Sequence, residues 1–138
     1  MRDIRRIIIH CSATPPDMDI GAKEIREWHM KGNGWRDIGY HYVIRLNGEI
    51  ESGRSIDEVG AHTKGHNADS IGICYIGGVG KNNKPKDTMY KCQEDSMREL
   101  IFSLRVVADE ELTLHGHNEF SDKACPSFKV SKKFKDIL

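Results

Sequence analysis

Two apolar runs rich in β-branched residues constrain the fold of this chain most strongly. The first extends from Ile4 to His10 and is followed by a cluster of serine, threonine and proline. The second extends from Ile71 to Ile76 and stops at Gly77-Gly78. Short β-branched runs bounded by turn residues are typical of buried strands, so both runs predict strands in the core of a sheet.

Segments with helical spacing separate the predicted strands. Residues 22–31 predict a helix that ends at Gly32-Asn33-Gly34, and residues 90–108 predict a long helix. The second of these has a stripe that we expect to be buried, formed by Met97, Leu100, Ile101, Leu104 and Val107. The pattern also predicts a C-terminal helix over 127–137 and further strands over 41–46, 49–51 and 112–114. Alternating strands and helices predict an α/β domain, with one sheet and helices packed on it.

Length and charge limit the number of domains and the class of partner. The chain has 138 residues, which fits one domain over 1–138. It has 21 basic and 21 acidic side chains, and this balance argues against nucleic acid as the main partner. One basic cluster, formed by Lys129, Lys132, Lys133 and Lys135, is either a solvated helix face or a surface that attracts an anionic polymer.

Apolar segments that direct a protein to a membrane are missing from the sequence. No apolar run is long enough to span a bilayer, and the three isoleucines before His10 are too few for a signal-peptide core. We therefore expect synthesis in the cytoplasm without a secretion signal. An extracellular substrate would then require a separate route of release. We expect a monomer.

The segment from His117 to Pro126 contains the strongest chemical signal. It places a histidine and a cysteine, His117 and Cys125, eight residues apart. Imidazole and thiolate are ligands that zinc prefers, and His10 at the end of the first strand is the best third ligand. Three protein ligands leave one tetrahedral position open, as in catalytic zinc sites. The alternative from spacing alone is that His10 is a hydrogen-bonded strand-end histidine and Cys125 a buried thiol.

The cysteine count favours a reducing compartment. With Cys125 as a metal ligand, Cys11, Cys74 and Cys92 remain, and three thiols cannot all pair. Cys74 and Cys92 are predicted to be small buried hydrophobic residues. Side chains alternate along a strand, so Cys11 should point away from the metal if His10 points toward it.

Five motifs occur in an order and spacing that resemble a known enzyme family. The motifs are His10-Cys11-Ser12-Ala13-Thr14, Gly39-Tyr40-His41-Tyr42, Gly60 to Asn67, Ser70-Ile71-Gly72-Ile73 and Lys123 to Phe128. Together they resemble the bacteriophage lysozyme-type N-acetylmuramoyl-L-alanine amidases of the peptidoglycan recognition protein superfamily. The resemblance extends from about residue 4 to the C-terminal helix. It implies a mixed central sheet flanked by about three helices, with a zinc groove on one face.

The resemblance also implies roles for individual residues. His10, His117 and Cys125 match the ligands of a single zinc ion, and Tyr40 and Lys123 match the catalytic pair. Some relatives use a glutamate as general base. No equivalent strand glutamate is present here, so Tyr40, together with zinc-activated water, is assigned that role. Without the resemblance, Lys123 would be interpreted as an exposed loop lysine and Tyr40 as a strand-edge aromatic.

Residues that hold the substrate are predicted from the same resemblance. His62 and Asn67 match positions that contact the stem peptide or the muramoyl group, and His41 and Arg54 are weaker candidates. Arg54 could pair with a substrate carboxylate. Glu119 is left outside the catalytic set.

The implied activity is zinc-dependent hydrolysis of the amide bond between N-acetylmuramic acid and L-alanine in peptidoglycan, as in a phage or prophage endolysin. One alternative is a module that binds peptidoglycan without cutting it, but such relatives typically lack the metal cysteine. Another is regulation of a phage RNA polymerase, which in some relatives depends on additional N-terminal residues. This chain begins only nine residues before His10.

Overall fold

The computed structural model describes residues 2–138, and its centre is a five-stranded sheet in the order β3-β2-β4-β1-β5. β1, β2, β4 and β5 are parallel to their neighbours, and β3 pairs with β2 as an antiparallel hairpin. The strands are β1 Arg6–Cys11, β2 Tyr42–Ile44, β3 Ile50–Ser52, β4 Ser70–Tyr75 and β5 Thr113–Gly116. The predicted α/β class with a mixed central sheet is confirmed.

Three α-helices flank the sheet: α1 Ala22–Glu27, α2 Lys91–Val107 and α3 Val130–Lys133. A π-helical turn at Trp28–Gly32 extends α1, and 3-10 turns lie at His117–Glu119 and Lys135–Ile137. The prediction of one continuous helix over 127–137 is wrong. Ser127 has a φ of 73° and Phe134 a ψ of 29°, and both backbone conformations interrupt a helix. None of the helices in residues 2–138 could cross a membrane.

One face of the sheet packs against α2 and α3. Ile7, Ile9 and Cys11 alternate along β1 and join this core, so Cys11 points away from the face that carries His10, as predicted. The buried residues that α2 and α3 contribute are Met97, Leu100, Ile101, Leu104, Val130 and Phe134. The predicted stripe of α2 is wrong at Val107, which is exposed at the last residue of the helix, beyond the cover of the sheet.

The opposite face is only partly covered. A second, smaller cluster packs α1 against β2 and β4; its members are Ile20, Ala22, Ile25, Ile38, Val43, Cys74 and Ile76. His10 occupies an alternate position of β1 and therefore points to this face. Loops, rather than helices, surround His10, and this leaves room for a groove.

All four cysteines are free. Cys74 is buried, as expected. Cys92 is exposed, so the expectation that it is buried is wrong. It lies in the first turn of α2, where its thiol donates to the Leu46 carbonyl at 3.3 Å.

Candidate active site

The parallel pairing of β1 and β5 brings two histidines together. Ile9 lies opposite Gly116, so the next residues, His10 and His117, leave neighbouring strands at the same edge of the sheet. Their ring centroids are 4.6 Å apart. Two residues that are 107 positions apart in the chain thereby become adjacent.

The loop after the 3-10 turn adds Cys125 to this pair. Its Sγ lies 3.8 Å from Nδ1 of His10 and accepts a hydrogen bond from the backbone N–H of Cys11 at 3.2 Å. One potential ligand atom from each of His10, His117 and Cys125 lies within 4.8 Å of the others. The structure therefore brings together the three residues predicted from the sequence.

The donor set fits a zinc ion. Tetrahedral zinc with bonds of about 2.0 Å to nitrogen and about 2.3 Å to sulfur separates the two ligand atoms by about 3.5 Å. The Nδ1–Sγ separation of 3.8 Å is close to this value. Nδ1 of His117 is buried and has no hydrogen-bond partner among the described residues. Since a buried ring nitrogen without a partner costs free energy, a bound cation would stabilise this arrangement.

The protonation states of the histidines suit metal binding. Burial, together with the neighbouring rings and the Lys123 charge, holds the pKa of His10 well below its ordinary value. Burial and Lys123 also lower the pKa of His117. Both imidazoles are therefore neutral at pH 7, the form that binds a metal. The adjacent Cys11 thiol and burial raise the pKa of Cys125, so its thiolate requires a cation beside it.

Tyr40 lies beside the first metal-ligand candidate. Its ring centroid is 5.1 Å from that of His10, and the side chain is half-buried. Burial raises the pKa of the Tyr40 hydroxyl well above its ordinary value. A phenol that stays protonated can donate a hydrogen bond but does not readily accept a proton. The structure therefore favours Tyr40 as a hydrogen-bond donor, and its role as general base stays a prediction.

Lys123 lies on the wall of a groove of about 530 Å³ that opens above the histidines. The groove lining includes His117 and the predicted substrate residues His62 and Asn67. Lys123 is exposed, and its charge acts on both His10 and His117. An exposed ammonium beside a cluster of neutral ligands can attract or stabilise a negative oxygen in the groove.

Two of the predicted substrate residues shape the groove through their own hydrogen bonds. Oδ1 of Asn67 accepts the backbone N–H groups of His62 and Thr63 at 2.9 and 2.8 Å. This closes the loop that carries both residues. Nδ1 of His62 lies 2.9 Å from Nε2 of His10, so the His62 ring contacts the cluster of candidate metal ligands directly.

The structure does not bring His41 and Arg54 to the groove, which corrects their prediction as substrate ligands. Both are buried, with exposures of 1% and 6%. The Arg54 guanidinium donates to the backbone carbonyls of Ile38, Val59 and Asp37. An arginine whose donors bind backbone carbonyls stabilises the loops beneath the groove and is not available to a substrate carboxylate.

His41 makes the folded protein sensitive to acid. Nδ1 accepts the Gly72 N–H at 3.0 Å, so the neutral ring donates its Nε2 proton to the Glu58 carbonyl at 2.9 Å. Burial lowers the pKa of His41 to about 4, from 6.5 in the unfolded chain. The unfolded state therefore binds a proton first as the pH falls. The stability associated with neutral His41 is present above pH 6.5 and is lost toward pH 4.

We expect the free energy of unfolding to be about 2 kcal/mol lower at pH 5 than at pH 7 through His41 alone. Urea unfolding at the two pH values measures this difference. The variant His41→Gln should be less stable at pH 7 and should show a smaller change between the two values. Equal pH dependence in wild type and variant would contradict the assignment.

Several residues of the groove were not predicted from the sequence. Trp35, Lys64, Phe120 and Ser121 line it, and Thr63 lies at its floor. Thr63 and Lys64 belong to the motif from Gly60 to Asn67, which could have indicated them. Phe120 and Ser121 belong to the segment from His117 to Pro126, which could have indicated them, whereas Trp35 lies in none of the motifs.

Glu119 contributes to the shape of the turn that carries His117. Its carboxylate accepts the Gly116 N–H at 2.7 Å and contacts Nδ1 of His115 at 2.9 Å. It caps the short 3-10 turn at His117–Glu119. Through this cap, Glu119 orients the backbone from which the His117 ring extends.

Comparison with known proteins identifies the family of this chain. The family model described as N-acetylmuramoyl-L-alanine amidase matches residues 1–128. The endolysin of Klebsiella phage KP32 is 40% identical over 131 residues, covering 95% of this chain and 85% of the relative. The endolysin of Escherichia phage T7 is 42% identical over 126 residues, which cover 91% of this chain and 82% of that endolysin.

The solved structure of the N-acetylmuramoyl-L-alanine amidase LysC from Clostridium intestinale has the same fold. It superimposes with a TM-score of 0.81 at 29% identity and covers 99% of this chain and 83% of the other. The sheet, the groove and the sequence similarity thus lead to one conclusion. The chain belongs to the N-acetylmuramoyl-L-alanine amidase family, whose members hydrolyse the amide bond between N-acetylmuramic acid and L-alanine in peptidoglycan.

Proposed function

We propose that this amidase holds one zinc ion through His10, His117 and Cys125 and binds the muramoyl stem peptide in the groove above them. The observation that carries this proposal is the neutral histidine pair beside a half-buried cysteine, at the floor of a groove with a cation on its wall. When bound, zinc supplies a Lewis acid that polarises a carbonyl oxygen and activates water.

Lys123 and Tyr40 act on the charge that develops during amide hydrolysis. Attack on the carbonyl produces an oxyanion, which positioned donors stabilise more strongly than the starting carbonyl. The ammonium of Lys123 supplies a positive charge from the exposed side of the groove. The protonated hydroxyl of Tyr40 supplies a hydrogen bond from the side of His10.

The walls of the groove bind the remainder of the substrate. Trp35 and Phe120 supply aromatic surface, and Lys64 supplies a second cation. Aromatic rings suit the apolar faces of sugar and peptide groups, and lysines suit carboxylates. Asn67 contributes indirectly, because it fixes the loop that carries His62 and Thr63.

The phage endolysins that this chain resembles suggest where it acts. We place its activity on the cell wall, after release from the cytoplasm in which it is synthesised. The charge balance of the chain agrees with a polymer substrate other than nucleic acid.

Digestion of purified peptidoglycan tests which bond is cut. We expect free stem peptides with a new L-alanine amino terminus, and glycan strands that remain intact. A glycosidase would instead require two carboxylates beside the sugar linkage, and the groove lining described above includes none. Mass spectrometry of the products, together with an assay for reducing ends, distinguishes the two reactions.

Removal of metal tests the cofactor in the same assay. A chelator should stop release of the peptides, and added zinc should restore it. New reducing sugar ends would contradict the assigned bond. Peptide release that continues after complete removal of metal would contradict the zinc site.

A further inference from the structure

A chain of hydrogen bonds leads from the candidate metal ligand His10 into the protein. Nε2 of His10 lies 2.9 Å from Nδ1 of His62, and Nε2 of His62 lies 3.2 Å from Oγ of Ser70. Oγ of Ser70 lies 2.7 Å from the backbone carbonyl oxygen of His66. His10 and Ser70, at either side of His62, are buried, with exposures of 1% and 0%, whereas His62 is half-buried and lines the groove.

The backbone carbonyl of His66, at the end of this hydrogen-bond chain, fixes the direction of every hydrogen bond in it. A carbonyl oxygen can only accept, so the Ser70 hydroxyl donates its proton to the His66 carbonyl. Ser70 Oγ then accepts a proton from Nε2 of His62. A neutral His62 that is protonated on Nε2 has an unprotonated Nδ1, which is an acceptor. His10 must therefore donate its Nε2 proton to His62.

The tautomer of His10 follows from this direction. A neutral imidazole with its proton on Nε2 presents a free lone pair on Nδ1. Nδ1 is the atom that lies 3.8 Å from Sγ of Cys125, on the side of the candidate metal. The hydrogen bond from Nε2 of His10 to His62 thus leaves Nδ1 of His10 free to coordinate a metal.

We propose that His62 is a positioning residue that holds His10 in the Nε2-protonated tautomer and so presents Nδ1 to the metal. This inference rests on the zinc site of the proposed function. It changes the predicted role of His62, because both nitrogens of its ring already have hydrogen-bond partners in the protein.

The surroundings of His62 hold its ring in one orientation. A methyl group at Gly72 would lie 2.6 Å from the His62 ring carbons, so the glycine lets the ring pack directly on the sheet. The Thr63 hydroxyl lies 3.0 Å from Nδ1 of His62 and 3.2 Å from Nε2 of His10. It can accept from His10 and donate to His62, which agrees with the same tautomers.

Zinc affinity provides the first test. His62→Leu removes the acceptor, whereas His62→Asn keeps an oxygen near the position of Nδ1. We expect His62→Leu to bind zinc about 10- to 100-fold more weakly in competition with a chromophoric chelator. His62→Asn should recover most of the affinity. His66→Ala is the matched control, since the hydrogen-bond chain uses its backbone carbonyl and not its ring.

The tautomer itself provides the second test and needs no metal. Long-range proton–nitrogen NMR spectra of the metal-free wild type should show His10 protonated on Nε2 and unprotonated on Nδ1. In His62→Leu the spectrum should shift toward a mixture of both tautomers. His10 protonated on Nδ1 in the wild type would overturn the proposal, even if His62→Leu fails to fold.

The two readouts separate this proposal from the proposed function. A wild type that binds no zinc but shows the Nε2-protonated tautomer would contradict the zinc site and leave only the assigned tautomer of His10 intact. A wild type that binds zinc, with equal affinity in His62→Leu, would contradict the positioning role alone.

Discussion

Replacing Cys125 by serine is expected to abolish stoichiometric zinc binding. A hydroxyl is a poor zinc ligand compared with a thiolate, and the remaining pair of histidines leaves the site incomplete. Loss of a residue that hydrogen-bonds to a metal ligand typically lowers metal affinity about 10- to 100-fold. Loss of a ligand itself should therefore lower it more than about 100-fold. Elemental analysis of the purified variant measures the zinc content, and wild type should contain one ion per chain.

Two further variants complete this experiment. His117→Ala should lose zinc in the same way, because it removes the buried Nδ1 that has no partner in the described part of the chain. Cys92→Ser is the matched control, since Cys92 is an exposed thiol at the start of α2. Full zinc content in both Cys125→Ser and His117→Ala would rule out this ligand set.

Removing either proposed catalytic side chain is expected to abolish most activity while zinc is retained. Lys123→Ala removes the cation of the groove wall, and Tyr40→Phe removes a hydroxyl but keeps the ring that packs against His10. Loss of one group that stabilises an oxyanion typically reduces kcat by about 100- to 1000-fold. Turnover of peptidoglycan and zinc content, measured on the same preparations, test both halves of the prediction.

Controls of the same chemical type exclude general effects of charge and packing. Lys132→Ala removes an exposed lysine from α3, and Tyr42→Phe removes the hydroxyl of a tyrosine that packs against the main core. Both should retain wild-type turnover. Normal activity in Lys123→Ala and Tyr40→Phe would show that neither residue is catalytic.

Local sequence patterns were sufficient to predict most of the secondary structure. Strand runs such as Ile71 to Ile76 are apolar and β-branched, and the observed strand at Ser70–Tyr75 differs by one residue at each end. The long helix at Lys91–Val107 follows from its helical spacing. The prediction of a continuous C-terminal helix failed. Backbone conformations at Ser127 and Phe134 interrupt it, and side-chain periodicity carries no information about them.

The candidate ligands could be named from the sequence because their chemistry is rare and their motifs resemble a family. His10, His117 and Cys125 combine soft sulfur and imidazole, and few other functions require that combination. The spacing could not show that the residues meet. Their proximity depends on β5 pairing with β1, a contact between segments about a hundred residues apart.

The roles of the other predicted residues were decided by burial, which depends on packing from the whole chain. His41 and Arg54 are polar residues, yet both are buried and hydrogen-bonded to backbone groups beneath the groove. His62 meets His10 because Gly72 allows its ring to lie on the sheet. The sequence by itself determined the strands, the main helix and the chemistry of the ligands, since these depend on local periodicity and residue type. Only the tertiary structure decided which polar side chains face the groove and which support it, because that depends on contacts between distant segments.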